Sequence, residues 1–173
     1  MAKTLIAFFS RADENYFGGA MRYVKVGNTE IVAGLIKEMT DADSFKIEMK
    51  DSYSPVYMTC INEAKKDLRE NARPELTKYV DSIDEYDTII LGYPNYWGTF
   101  PMAVATFLEK YDFTGKTILP FCTNEGSGMG SSESDIKKSA KGATLKCGLA
   151  ITGSMAADSK DTVKKWLAAN GLI

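Results

Sequence analysis

The sequence predicts a three-layer α/β domain: a five-stranded parallel sheet, doubly wound, with strand order 2-1-3-4-5. Three observations predict it. Short apolar runs without alternation recur along the chain, the pattern of strands buried on both faces. Amphipathic helical patterns separate them, so each strand can be reached by a right-handed helical crossover. One run alone alternates strictly and marks a sheet edge; placing it outside the first strand gives the stated order. The 173 residues, 45% apolar and 25% charged, suit a single domain, residues 1–173, that buries a sizeable core.

Lys3–Phe9 is the first strand and leads into a long segment before the first helix, whose stripe is Ile31, Leu35 and Met39 with Val32 and Ile36. Phe45–Lys50 is apolar at 45, 47 and 49 and charged at 46, 48 and 50, so one face meets water. Tyr57, Ile61, Ala64 and Leu68 mark a second helix. Pro74 suits the first turn of a short helix carrying Leu76, Tyr79, Val80 and Ile83. Asp87–Tyr93 is the third strand, and Thr99 and Pro101 supply a cap and a first-turn proline for a helix over Met102–Tyr111. In the fourth strand, Lys116–Phe121, Pro120 removes a ladder donor and predicts a bulge or an early end. Ser132 and Asp135 form a weak capping box for a helix through Ala140, Leu145–Thr152 is the fifth strand, and the last helix carries Val163, Trp166 and Leu167 before Gly171.

Composition removes several function classes. Lys and Arg number 21 against 23 Asp and Glu, a formal charge of −2 without a basic block, so neither nucleic acid nor an anionic membrane surface is an expected partner. Histidine is absent, which excludes His-based triads and the commonest metal ligand. Cys60, Cys122 and Cys147 are far apart and read as buried small residues rather than a disulfide or metal framework. No apolar run reaches the ~18 residues of a membrane span, and no signal peptide is legible, so a cytoplasmic location is expected. A small-molecule ligand or a protein partner is left; the oligomeric state is not legible.

In this topology the chain reverses direction between strands one and three, and a ligand crevice opens at their carboxyl ends. The first strand runs into Ser10 and Arg11, and Val26, Gly27, Asn28 and Thr29 open the first helix. Free amides, the helix dipole and hydroxyl donors there suit a phosphate; taken alone, Asn28 or Thr29 reads equally as a helix cap. After the third strand Pro94, Asn95, Tyr96, Trp97, Gly98 and Thr99 form an aromatic loop at the same edge, available to a planar ligand or folded back on the core. After the fourth, Thr123, Asn124, Glu125, Gly126, Ser127 and Gly128 lead a loop whose glycines let backbone approach a ligand closely. Together the three loops describe a pocket for a flat, phosphorylated molecule.

These three motifs, in this order over roughly Lys3 to Leu172, resemble the FMN-binding loops of flavodoxin-like proteins. The resemblance implies FMN as cofactor, with its phosphate on the first loop, Trp97 or Tyr96 stacked on the isoalloxazine, and Thr123 to Gly128 along the pyrimidine edge. A backbone group near Gly98 would answer flavin N5. Two features depart from the family pattern. About fourteen residues, Ala12 to Lys25, split the phosphate motif as a long inserted loop that either lids the flavin or elaborates the surface, and they loosen the assignment of Arg11 and Val26. The charge of −2 lies far from the acidic balance of many electron-carrier flavodoxins, which weakens steered docking to a basic partner.

Other signals fall away on context. Gly115-Lys116-Thr117 has Lys110 where a Walker A loop needs glycine and precedes a strand instead of opening a helix, so it is no P-loop. Gly126 to Gly130 follows the fourth strand, not the first, which argues against a dinucleotide fingerprint. A receiver domain needs acidic residues where this chain has Ser10 and Pro94. The expected function is an FMN-binding redox protein that transfers electrons to a partner protein, with an FMN-dependent NAD(P)H:quinone or related small-acceptor reductase as the alternative and a non-redox phosphate-ligand module as a third reading.

Overall fold

The computed structural model describes residues 3–173. Its main sheet contains β1 (Thr4–Phe8), β4 (Asp43–Lys46), β5 (Thr88–Pro94), β6 (Thr117–Asn124), β7 (Thr144–Leu145) and β8 (Leu149–Thr152). Every pairing is parallel, in the order β4-β1-β5-β6, with β7 and β8 sharing the far side of β6. Counting those two as one strand gives 2-1-3-4-5, as the sequence predicts.

Alternation within the buried strands divides the core into two layers. Leu5, Ala7, Ile89, Leu91, Ile118 and Cys122 face α3 (Met102–Lys110) and α4 (Ser132–Ser139). Ile6, Phe8, Ile90, Leu119 and Phe121 face α1 (Asn28–Met39) and α5 (Lys160–Ala169). Helix α2 (Tyr57–Arg69) leans on the first layer through Leu68 and leaves its amino-terminal half at the carboxyl edge of the sheet. The last helix ends as expected: Gly171 takes φ 71°, and Leu172 N–H donates back to Leu167 O at 3.0 Å.

Several local expectations are corrected. The residues after Pro74 form no helix. Leu76 and Ile83 are buried, but the backbone of 75–77 pairs instead with 48–50, through Lys50 N–H to Glu75 O (2.8 Å) and Thr77 N–H to Glu48 O (2.9 Å). Tertiary ladder bonds override a helical spacing that is too short to stand alone. The edge strand is Asp43–Lys46 rather than Phe45–Lys50, and Met49 joins an isolated antiparallel bridge with Leu76 that covers the sheet edge. Thr99 does not cap α3; its hydroxyl donates to Asp135 Oδ2 (2.6 Å). The Ser132 capping box is absent as well, because the Ser132 hydroxyl donates to Met129 O and accepts from Tyr93.

Pro120 neither bulges nor ends its own strand: β6 continues to Asn124, so Thr123 and Asn124 are strand residues. The irregularity sits opposite. Ile118 accepts from Lys146 N–H (2.9 Å), so even-numbered residues of β6 face the fifth strand and the missing Pro120 donor points there. Between paired residues, Ile118 to Phe121 is matched by Leu145 to Leu149, one residue longer, which is a bulge in the partner. The inserted segment is also more ordered than a loop: β2 (Asp13–Phe17) and β3 (Ala20–Val24) pair antiparallel as a separate hairpin. No helix of the described residues is long and apolar enough to cross a membrane.

Candidate functional site

A cavity of about 380 Å³ opens at the carboxyl ends of β5 and β6 and the amino terminus of α1. Of the expected residues it brings together Asn28, Pro94, Asn95, Tyr96, Trp97, Gly98, Thr123, Asn124, Glu125 and Ser127. The others stand behind this lining or away from it.

The amino terminus of α1 is built from behind. The Ser10 hydroxyl accepts the Glu30 amide at 3.0 Å, so an outside residue caps the helix and neither Asn28 nor Thr29 does. A Cβ on Gly27 would lie 2.2 Å from Ser10 Oγ and 2.5 Å from Arg11 O; only glycine lets the two segments approach this closely. The Asn28 and Thr29 amides carry no hydrogen bond among the described residues and leave a donor pair at the positive end of the dipole. Thr29 is buried, and its hydroxyl shares a 2.8 Å bond with Thr123, tying this helix to β6. Arg11 is turned aside: its guanidinium binds Glu14 O, Asn15 Oδ1 (3.2 Å) and Ser54 O (2.8 Å). With Ser10 it lines a second cavity of about 200 Å³ toward Lys46, and Val26 is exposed.

The aromatic wall is a two-residue turn. Trp97 and Gly98 have φ of 58° and 88°, Thr99 N–H closes the turn onto Tyr96 O at 3.4 Å, and Tyr96 N–H donates to Thr99 O at 2.7 Å; two positive φ values in a two-residue hairpin suit a type I′ turn. Trp97 Nε1–H donates to Ile61 O (2.7 Å), and Lys65 Nζ stands 4.9 Å from the ring centroid. The Lys65 cation thus covers the indole ring, and Trp97 also lines the cavity. Asn95 stitches this turn to the next loop: its Oδ1 accepts Gly98 N–H (2.8 Å) and its Nδ2 donates to Gly128 O (2.9 Å). Asn124 Oδ1 gathers the amides of Gly126 (2.9 Å) and Gly128 (3.0 Å). The Gly98 carbonyl accepts Ser131 N–H at 2.7 Å.

Sequence reasoning missed α2 as a wall of the site, whereas the insertion it gave as a lid or a surface elaboration does reach the cavity. Tyr57, Cys60, Ile61 and Ala64 of α2, Asn15 and Tyr16 of the hairpin, and Gly153 line the same cavity. The helical stripe that signalled a core face holds part of the pocket instead; Pro55 two residues before the helix and the adjacent insertion are the only local hints. Burial pushes the Tyr57 hydroxyl, the Tyr96 hydroxyl and the Cys60 thiol above their ordinary values, and Tyr96 lies against Cys60. These groups stay protonated near neutrality. Glu125 is the carboxylate of the lining, with Oε1 accepting Ser154 N–H at 2.9 Å.

The arrangement offers amide donors at one end, an indole face in the middle and a backbone-rich wall beyond, with no metal-binding cluster among the described residues. The profile of the Flavodoxin family matches residues 20–170. A candidate flavoprotein from Bacteroides eggerthii superposes with a TM-score of 0.79 at 22% identity over 100% of both chains. Another, from Bacteroides uniformis, gives 0.75 at 27% identity, covering 96% of this chain and 98% of that one. A Lactobacillus acidophilus flavoprotein, solved in complex with FMN, gives 0.63 at 19% identity over 91% and 98%. No curated protein matches the sequence.

Proposed function

Because the chain belongs to the flavodoxin family, we propose that it is an FMN-binding redox protein whose work is electron transfer. The observation that carries this is the α1 amino terminus, where Gly27 lets the Ser10–Arg11 segment pack against the start of the helix and the Asn28 and Thr29 amides have no partner among the described residues. In this reading the Asn28 and Thr29 amides hold the phosphate, and Ser10 positions them through Glu30 N–H. Trp97 stacks on the ring, and the Thr123 to Gly128 wall takes its pyrimidine edge. FMN, when bound, supplies one- and two-electron chemistry.

The chain's own residues orient the ring and exclude water. Trp97 is fixed by Ile61 O and Lys65 before any ligand arrives. Asn95 and Ser131 hold both peptides that flank Gly98, so this backbone has a fixed orientation and would present it to flavin N5 if the ring lies against the loop. The protonated Tyr57, Cys60 and Tyr96 present no charge to the ring.

A carrier between proteins and a reductase of small acceptors share all of these parts. The second reading is favoured by one observation, that the hairpin contributes Asn15 and Tyr16 to the cavity wall. Stopped-flow mixing of the FMN-loaded protein with NADH or NADPH tests it. Direct rapid reduction supports a reductase; reduction only through a separate flavoprotein supports a carrier. A purified protein that takes up no FMN would overturn the whole assignment.

A further inference from the structure

The hairpin is anchored at its root. Arg11 Nη2 donates to Ser54 O at 2.8 Å, Glu14 N–H donates to Pro55 O at 3.2 Å, and Glu14 Oε1 accepts the first amide of α2, Tyr57 N–H, at 3.0 Å. That carboxylate at a helix amino terminus also gains from the dipole. Its turn reaches the other side of the sheet: a Cβ on Gly18 would stand 3.6 Å from Ser154 Cβ, just past the end of β8. The dimensions agree. From β1 to β8 there are three strand steps, β1-β5-β6-β8, roughly 14 Å at the usual spacing, and a five-residue strand spans about 17 Å. The hairpin thus runs across the carboxyl ends of the strands, with Asn15 and Tyr16 on the cavity beneath it.

We propose that this hairpin is a fixed roof that restricts electron exchange to small planar acceptors and keeps protein redox centres at a distance. The inference rests on the FMN reading above. A ribbon of backbone and side chains adds roughly one packing layer, about 10 Å, between the cavity and anything docked on its outer face, and electron transfer falls steeply with such separation. In this proposal a flat molecule enters beside the hairpin rather than through it. With a quinone, two electrons and two protons pass from the reduced flavin to the two carbonyl oxygens, which become hydroxyls. The flavin returns to its oxidised form, and a nicotinamide hydride donor, or a photochemical reductant in vitro, must reduce it again.

The test uses the full chain loaded with FMN, photoreduced without oxygen, then mixed with menadione or with cytochrome c. Ionic strength is kept high so that charge steering does not set the rates. Three proteins are compared: the native chain, one with residues 12–25 replaced by a short Gly-Ser linker, and Glu14→Ala, which removes the anchor at α2. The native protein is expected to be reoxidised at least a hundredfold faster by menadione than by cytochrome c at equal concentration. Linker replacement should cut that ratio below tenfold and speed FMN release, followed as recovered flavin fluorescence, by tenfold or more. Glu14→Ala should move both readouts the same way by about threefold and keeps the test intact if the linker protein does not fold. Equal native rates with the two acceptors, or an unchanged ratio and release rate in Glu14→Ala and any folded linker protein, overturn the roof. Native protein that binds no FMN would instead overturn the parent reading.

Discussion

Replacing Asn95 asks whether the two loops flanking the cavity act as one wall. Its carboxamide makes two partly buried bonds, to Gly98 N–H at 2.8 Å and to Gly128 O at 2.9 Å. Each is worth about 1 kcal/mol net, so Asn95→Leu, which removes both, is expected to cost about 2 kcal/mol, or roughly 30-fold in flavin affinity where binding requires the joined loops. Asn95→Asp keeps the acceptor for Gly98 but sets a carboxylate against the Gly128 carbonyl; it should lose at least the Gly128 half, about fivefold, and recover below roughly pH 4 as the acid regains a donor. Fluorescence titration with FMN and with riboflavin is the assay. Both ligands should weaken equally, because the α1 cradle is untouched. Native affinities in Asn95→Leu, or a loss confined to FMN, would refute the reasoning.

Gly27→Ala should have the opposite signature. Its Cβ meets backbone at 2.5 Å, an overpacking worth about 1–3 kcal/mol, and FMN should weaken far more than riboflavin in the same titration. Trp97→Ala should leave bound FMN visibly more fluorescent; unchanged quenching would move the stacking role to Tyr96 or Tyr16. Cys60 and Cys122 are buried as expected, but Cys147 is exposed rather than buried, so Ellman's reagent should titrate one thiol quickly in the folded protein and three after denaturation. Burial pushes Cys122 from its ordinary 9.0 to about 12; since the unfolded chain ionises first, stability from the neutral thiol is present below pH 9 and lost between 9 and 12. Denaturant melts across that range should show a shallower alkaline decline in Cys122→Ala.

The sheet order was legible because the inner strands carry continuous apolar runs that report burial on both faces; the alternation that marked the edge lies mostly at Ile47–Lys50, just past the edge strand Asp43–Lys46, so it located the edge without giving its bounds. The apolar residues around Leu76 fit a helix equally well, and only the proximity of 48–50, invisible in a one-dimensional pattern, decides for extended pairing. Pro120 shows the same limit: the missing donor is legible, but which strand yields depends on which neighbour it faces. At the site, the three loops were legible from their residue types and order. The α2 wall was not, since Tyr57, Cys60, Ile61 and Ala64 have the spacing of any core-facing helix. Nor did the sequence show that Arg11 spends its donors on the hairpin and Ser54.

At Trp97 local backbone preference and the proposed stacking role pull apart. A left-handed conformation at a non-glycine residue costs of order 1–3 kcal/mol, and Trp97 holds φ 58°. What compensates lies around it: the 2.7 Å bond from Tyr96 N–H to Thr99 O, the indole donation to Ile61 O, the Lys65 cation, and Asn95 on the following amide. None of these partners is a ligand, so the strain is already offset in the protein alone and the aromatic wall stands in place before a flavin enters. If Trp97 stacks on the ring as proposed, a ligand gains that energy without the cost of ordering the turn. The hairpin follows the same logic on the other side of the cavity, with Arg11 and Glu14 holding it through contacts to residues 54–57 rather than to anything bound. Both walls are fixed by α2 or the segment leading into it, which makes that helix the element on which the cavity's shape depends, although no side chain of α2 belongs to the three loops that announced the site.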